Sequence, residues 1–201
     1  PVVLQLREAL SFKDAEDVLL WNAEEDRPAG VLTVAEVYKI DLTKAAAAIY
    51  GTTERAHPGV ARWLDGGEHA VAGPIRLLEH STSLIPAAYD LEPRAVRAEF
   101  KRRGWKTITG FQTRNLGHRA HERLQKTALE VTDGLLIHPL IGWKKAGDML
   151  PEVILDGYRL LIETYYPPKN VFLAGLTTAM RYAGPREAVF HAIIRRNFGC
   201  T

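Results

Sequence analysis

Apolar and polar residues alternate at the start of the chain. Val2, Leu4 and Leu6 are interleaved with Val3, Gln5 and Arg7, which predicts a strand with one buried face. "DVLLWN" (17–22) and "AGVLTVAEVYKI" (29–40) flank "AEEDRP" (23–28), a polar, turn-rich spacer, so a hairpin is expected. Asp41 is placed to cap a short helix, "LTKAAAAIYG", with Gly51 just past its end. "HPGVARWL" (57–64) predicts a second short helix closed by Gly66 and Gly67, and "HAVAGPIRLLEH" (69–80) one or two strands. From residue 89 the period lengthens. "YDLEPRAVRAEFKRRGW" (89–105) reads as a helix with Asp90 as its cap, Pro93 in its first turn, Val96 and Phe100 on one face, and Gly104 at its end. Three units follow: strand 106–112 and helix 118–132, strand 134–140 and helix 150–164, strand 170–176 and helix 184–197. Strands alternating with helices of this length predict βαβ crossovers and a parallel sheet.

The fold class expected is therefore α/β, with a small β-rich module over residues 1–88 and a parallel sheet with flanking helices over 89–201. The chain has 201 residues, enough for one large domain or two small ones. Both ends read as mid-element, so the sheet is expected to be incomplete and the chain to be part of a longer one. Its formal charge of +2 excludes a global field strong enough to recruit nucleic acid, so any anion site must be local. The single cysteine, Cys200, excludes an internal disulfide framework and a multi-cysteine metal site, which fits a reducing cytoplasm. No apolar run approaches the ~20 residues of a membrane helix.

The densest chemistry lies in "GFQTRNLGHRAHERLQ" (110–125), at the turn between the first parallel strand and its helix. Ligands of parallel sheets bind beyond such carboxyl ends. A helix N-terminus adds unsatisfied N–H groups and roughly half a positive charge. Arg114 brings a planar fork suited to tetrahedral oxyanions. Gln112 and Asn115 bring neutral donors, and His118 and His121, three apart, share one helix face. The pair admits three readings. It can donate to phosphoryl oxygens; His121 can be a core residue on a stripe through Leu124, Ala128 and Val131; or the two can be metal ligands, although the spacing departs from the zincin pattern.

"FQTRNLGHRAHE" (111–122) resembles the signature of the ATP sulfurylase (sulfate adenylyltransferase) family. "HPLIGWKKAGDM" (138–149), "MRYAGPREAVFHAIIRRNFGC" (180–200) and "GTTERAHPGVA" (51–61) resemble the same family, so the likeness spans nearly the whole chain. It implies a PUA-like N-terminal domain, partial here, over 1–88. Over 89–201 it implies the first part of a Rossmann-like nucleotidyltransferase domain. The implied reaction is ATP plus sulfate giving adenosine 5′-phosphosulfate and pyrophosphate. The resemblance assigns catalysis to Thr113, Arg114, Asn115, His118 and His121, and sulfate binding to Gln112 and Arg114. All six residues, Gln112 included, would contact ATP. It implies Mg²⁺ carried with ATP, no protein-held metal, no membrane or nucleic-acid partner, a cytoplasmic setting and a homo-oligomer at full length. The family commonly has Pro or Ala near positions 116 and 117. Here Leu116 and Gly117 stand there, and Gly117 is expected to ease the turn. The family also continues beyond the position of Thr201 with a Gly-Arg-Asp-His-Ala-Gly segment.

Other residues carry weaker expectations. His138 could approach the site, Lys144 and Lys145 could steer anions, Arg181 could make a second anion contact, and His191 and Cys200 would pack. Two alternatives remain: another nucleotidyltransferase using the same histidine pair, and an RNA-binding PUA-like module. The latter would use the basic cluster Arg97, Lys101, Arg102, Arg103 and Lys106, although basic residues also suit a helix C-terminus for its dipole alone.

Overall fold

The computed structural model describes residues 3–9, 11–13, 15–23, 25–78, 85–142 and 147–201. Val2, the end of "HAVAGPIRLLEH", Lys144 and Lys145 thus lie outside the described residues. The chain groups into two compact units, residues 1–82 with 181–186, and 83–180 with 187–201.

The first unit carries two three-stranded antiparallel sheets. In one, β1 (Leu4–Leu6) and the strands at Glu36–Lys39 and His69–Ala72 are joined. In the other, β2 (Asp17–Asn22) and β3 (Arg27–Thr33) form the expected hairpin, and Ile75–Leu77 adds to β3. In chain order the remaining strands are β4 (Glu36–Lys39), β5 (His69–Ala72) and β6 (Ile75–Leu77), with β5 central between β1 and β4. The apolar run 29–40, read as one flank of the hairpin, is two strands in two sheets. Val34, only 4% exposed, turns into the core at the corner. Gly73 lets the chain pass there, because a Cβ on it would stand 1.9 Å from the Thr33 carbonyl oxygen. α1 (Leu42–Tyr50) starts where Asp41 accepts the Lys44 N–H and ends at Gly51, whose φ of 72° only glycine adopts cheaply. α2 (Pro58–Asp65) is capped by His57, whose Nδ1 accepts the Val60 N–H. That leaves Nε2 to donate to the Tyr182 carbonyl, 3.0 Å away.

The second unit is a parallel sheet, β7 (Ile108–Thr113), β8 (Gly134–Pro139) and β9 (Val171–Leu173), in that order. All six residues of β8 are buried, as expected for the middle strand of a sheet covered on both faces. α3 (Pro93–Arg102) precedes the sheet. Its cap is Glu92 and not Asp90, because Pro93 already occupies the first helical position. α4 (Arg119–Val131), α5 (Pro151–Tyr165) and α6 (Pro185–Phe198) complete the three units. Leu135 and Ile137 meet Ile154, Leu155, Tyr158 and Tyr166 on one face of the sheet. Leu136 meets Val96, Phe100 and Phe198 on the other. β9 is shorter than the expected 170–176, and only an isolated bridge, Leu140 to Leu176, carries the pairing further.

The stripe expected on α4 is displaced. Leu124 is 61% and Val131 78% exposed, whereas Gln125 is fully buried. The buried line runs through His121 and Gln125, spaced i to i+4, with Leu129 packed on the core. An apolar pattern alone hides this, because the residue that faces inward is an amide.

Candidate anion site at the end of the first parallel strand

β7 delivers Gln112 and Thr113 to the carboxyl edge of the sheet, and α4 begins after residues 114–118. Gln112 and Asn115 are exposed, Arg114 is half-buried and Thr113 is buried. The Thr113 hydroxyl donates to the Asn115 carbonyl at 3.0 Å and accepts the Asn115 N–H at 3.2 Å, a local turn that sets the loop's course. His118 occupies the cap position in extended conformation, and its side chain makes no capping hydrogen bond. The first-turn amides of α4 therefore receive nothing from it, and its imidazole lies stacked on His121 with ring centroids 3.9 Å apart.

His121 is wedged further by the edge of Phe111, at 5.5 Å. Burial lowers its pKa below the ordinary imidazole value, and the neighbouring His118 lowers it again; a hydrogen bond with the Leu116 backbone partly offsets both. His121 thus lies on the inward line of α4 against Phe111, while Leu124 and Val131 of the expected apolar stripe turn outward. The structure brings the six predicted residues into one connection, pairs Thr113 with Asn115, and stacks His118 on His121.

His138 does not line this loop. It sits beside Gln112 in the sheet register but is completely buried against Phe198, with ring centroids 4.6 Å apart. Arg195 donates to the His138 carbonyl at 2.9 Å and to the His191 carbonyl at 3.1 Å. His191 is buried with Glu187. Burial, then the charge of Arg195, push the His138 pKa down to about 3. Cys200 is held near Arg195, and burial raises its thiol to about 11, so it stays protonated and inert.

The basic cluster is largely engaged by the protein itself. Arg97 donates to the Asn197 carbonyl, Arg102 and Arg103 both bind Glu99, and Arg103 also donates to the Val171 carbonyl. The Arg103 guanidinium lies 5.1 Å from the ring centroids of both Trp105 and Phe172. Sequence reasoning passed over three buried polar residues, Gln125, Tyr158 and Tyr166. The only available signal was an amide at the inward i+4 position from His121.

Comparison with known proteins gives the family of the chain. A family model described as ATP-sulfurylase matches residues 87–201, and one described as a PUA-like domain matches residues 1–80. The sulfate adenylyltransferase of Synechococcus sp. (strain JA-3-3Ab) is 48% identical over 193 residues, covering 96% of this chain and 49% of that protein. That of Symbiobacterium thermophilum is 48% identical over 203 residues, covering 100% of this chain and 51% of that protein. The chain thus spans about half the length of the curated relatives it matches. Among solved structures, the hexameric APS kinase from Thiobacillus denitrificans is similar over 100% of this chain and 36% of that one, with a TM-score of 0.72 and 25% identity.

Proposed function

The chain belongs to the ATP-sulfurylase family, and on that premise we propose that the protein at its full length is a sulfate adenylyltransferase. It joins ATP and sulfate into adenosine 5′-phosphosulfate and pyrophosphate. In this reading residues 1–88 are the PUA-like domain and residues 89–201 contribute the first part of the catalytic domain.

Sulfate is already ionised, so the reaction needs neither a general base nor an activated serine or cysteine. Its oxygen attacks the α-phosphorus in line, and the bond to the pyrophosphate oxygen breaks. The protein's task is to bring two anions together and to meet charge as it shifts. Gln112 and Arg114 hold sulfate, with the Arg114 fork offsetting anion repulsion. Asn115, supported by Thr113, positions the phosphates. His118 and His121 donate to the α- and β-phosphoryl oxygens. Magnesium supplies charge neutralisation on the triphosphate. The ion would arrive with the nucleotide, and the 112–118 loop itself offers it no carboxylate.

The observation that carries this reading is the stacked His118–His121 pair at the mouth of α4, with neither ring spent on capping the helix. A cytoplasmic homo-oligomer completes the proposal. The test is pyrophosphate release from ATP by the full-length protein. Release that requires sulfate and is blocked by a second tetrahedral dianion is expected. Release indifferent to sulfate points instead to a different nucleotidyltransferase.

A further inference from the structure

α6 turns a charged face into the fold. Glu187, His191 and Arg195 follow one another at four-residue steps and so share one side of the helix. All three are buried, Arg195 to 5% exposure. Glu187 and His191 meet each other, Oε1 to Nε2 at 3.4 Å. Arg195, one turn further on, has no carboxylate partner among the described residues. Its two hydrogen bonds go to neutral carbonyl oxygens, that of His191 at 3.1 Å and that of His138 at 2.9 Å, and its Nε is without a partner among the described residues. Burial lowers its pKa to about 10, so the guanidinium still carries its charge at neutral pH. A buried cation without a counter-charge is costly, and carbonyl dipoles offset only part of the cost. An anion bound nearby would offset more of it.

The sheet register places this charge. A Cβ on Gly110 would stand 3.1 Å from Arg195 Cδ and 3.4 Å from Arg195 Cβ, so the side chain crosses β7 where that strand has no side chain. From there it reaches the carbonyl of His138, and His138 is the partner of Gln112 in the parallel register. Residues two apart on a strand share a face, so Gln112 leaves β7 on the face that Gly110 opens to Arg195. At a rise of about 3.3 Å per residue the two positions are about 7 Å apart along the strand. The His138 ring packs against Phe198 of α6. The carboxyl end of the sheet thus carries, on its α6 side, the exposed Gln112 amide beside an enclosed guanidinium.

We propose that Arg195 is a specificity-determining residue of the anion site: its buried charge, unmatched by any carboxylate among the described residues, sets a tetrahedral dianion held at Gln112 above a monoanion of the same shape. The proposal rests on the reading of the 112–118 loop as the site of ATP and sulfate. Arg195 does not touch the anion. It acts through its field, and it braces the strand pair that presents Gln112 by its bond to the His138 carbonyl. Coulomb energy is proportional to the ligand's charge, so a dianion gains twice what a monoanion gains from one cation at the same distance. Enclosure keeps that cation from being screened as an exposed one would be.

The probes are thiosulfate, a tetrahedral dianion, and fluorosulfate, a tetrahedral monoanion of similar shape. Their dissociation constants for the full-length protein are read by isothermal titration, with sulfate-dependent pyrophosphate release measured alongside. Arg195→Gln keeps an N–H for the His138 carbonyl and removes the charge. It is expected to weaken thiosulfate about tenfold and fluorosulfate only about threefold, because the same lost field acts on two charges and on one. Arg195→Lys keeps the charge, and its ratio of the two constants should stay within about twofold of the parent's. Arg195→Met serves if Arg195→Gln does not fold. Equal weakening of both anions, or none, overturns the proposal. So does loss of the dianion preference in Arg195→Lys, which would assign that preference to the shape of the fork. A parent protein that binds neither anion overturns it as well. If thiosulfate binding depends on Arg195 as expected while the parent shows no sulfate-dependent release, the reaction assignment fails and the role of Arg195 stands. Sulfate-dependent release without that dependence leaves the reaction standing and removes Arg195.

Discussion

The Leu116 side chain fills the place where a Cβ on Gly157 would be: Leu116 Cδ2 lies 2.2 Å from that position. Gly157 is inside α5, where glycine costs ~0.5–1 kcal/mol relative to alanine in a helix interior. The loop is thus keyed to α5 by a small residue that the helix would otherwise disfavour. Gly117 works the same way from the other side, since a Cβ there meets Leu161 at 2.9 Å and Tyr158 at 3.2 Å. Its backbone is not in the left-handed region, so close packing, not an eased turn, calls for glycine. Gly157→Ala is expected to destabilise by about 1–3 kcal/mol despite its better helix propensity, through overpacking. Adding Leu116→Ala should recover at least about 1 kcal/mol as a favourable coupling in a double-mutant cycle read by urea unfolding. Simple additivity would mean that the two residues do not share the space.

Arg114 is the proposed sulfate clamp. Removing one preorganised donor at a developing charge costs ~2.7–4 kcal/mol of barrier, so Arg114→Ala should reduce turnover at least about a hundredfold. Arg114→Lys keeps the charge and loses the fork, and should recover only a small part of the loss. Pyrophosphate release by the full-length Arg114→Ala protein at near-normal rate would remove Arg114 from the site.

The parallel sheet was legible because strands such as β8, with its apolar core Leu135–Ile137, alternate with helices, the one before them bounded by Pro93 and Gly104. Elsewhere local pattern competes with tertiary placement. Residues 29–40 look like one strand, and only the burial of Val34 at a corner divides them between two sheets. The chemistry of the site was legible as residue types in one connection. The faces around it were not: Gln125 and Tyr158 are polar side chains completely enclosed by the fold, and Leu124 and Val131 are apolar ones turned outward. Periodicity assigns faces by polarity, so it fails where a polar group is buried.

His138 gives the fold an acid sensitivity of its own. Its imidazole titrates near 6.5 in the unfolded chain and at about 3 in the folded one. Between those values the unfolded state binds a proton that the folded state refuses, so stability falls with pH by up to ~1.4 kcal/mol per pH unit. Arg195 and His191, reaching in from α6, oppose protonation in the same direction. The thermal midpoint should therefore begin to fall below about pH 6.5, above the ordinary carboxylate range. His138→Gln should flatten the decline between pH 6.5 and 5 even if it lowers the midpoint at pH 7. An unaltered slope in that variant would locate the sensitivity elsewhere.

Glu99 acts in a lower window. Its carboxylate binds Arg102 and, at 2.6 Å, the Arg103 Nε held between Trp105 and Phe172. The hydrogen bond from Arg102, joined by one from Arg103, holds its pKa at about 2 against an ordinary 4.5, even though burial opposes them by more than the Arg103 bond contributes. A carboxylate depressed in this manner stabilises the fold above pH 4.5, and the contribution disappears as pH falls toward 2. The side chain is 21% exposed and Arg102 is open to water, so screening reduces the effect to about 1–2 kcal/mol. Glu99→Gln should thus be less stable than the parent by about that amount at pH 7, and the gap should close on titration from pH 4.5 to 2. The comparison is read by urea unfolding at fixed ionic strength. A gap that stays constant through the window would mean that Glu99 contributes by packing alone. Arg103→Lys should cost more than Glu99→Gln at every pH, because it also forfeits both aromatic contacts and the planar fork that reaches the Val171 carbonyl.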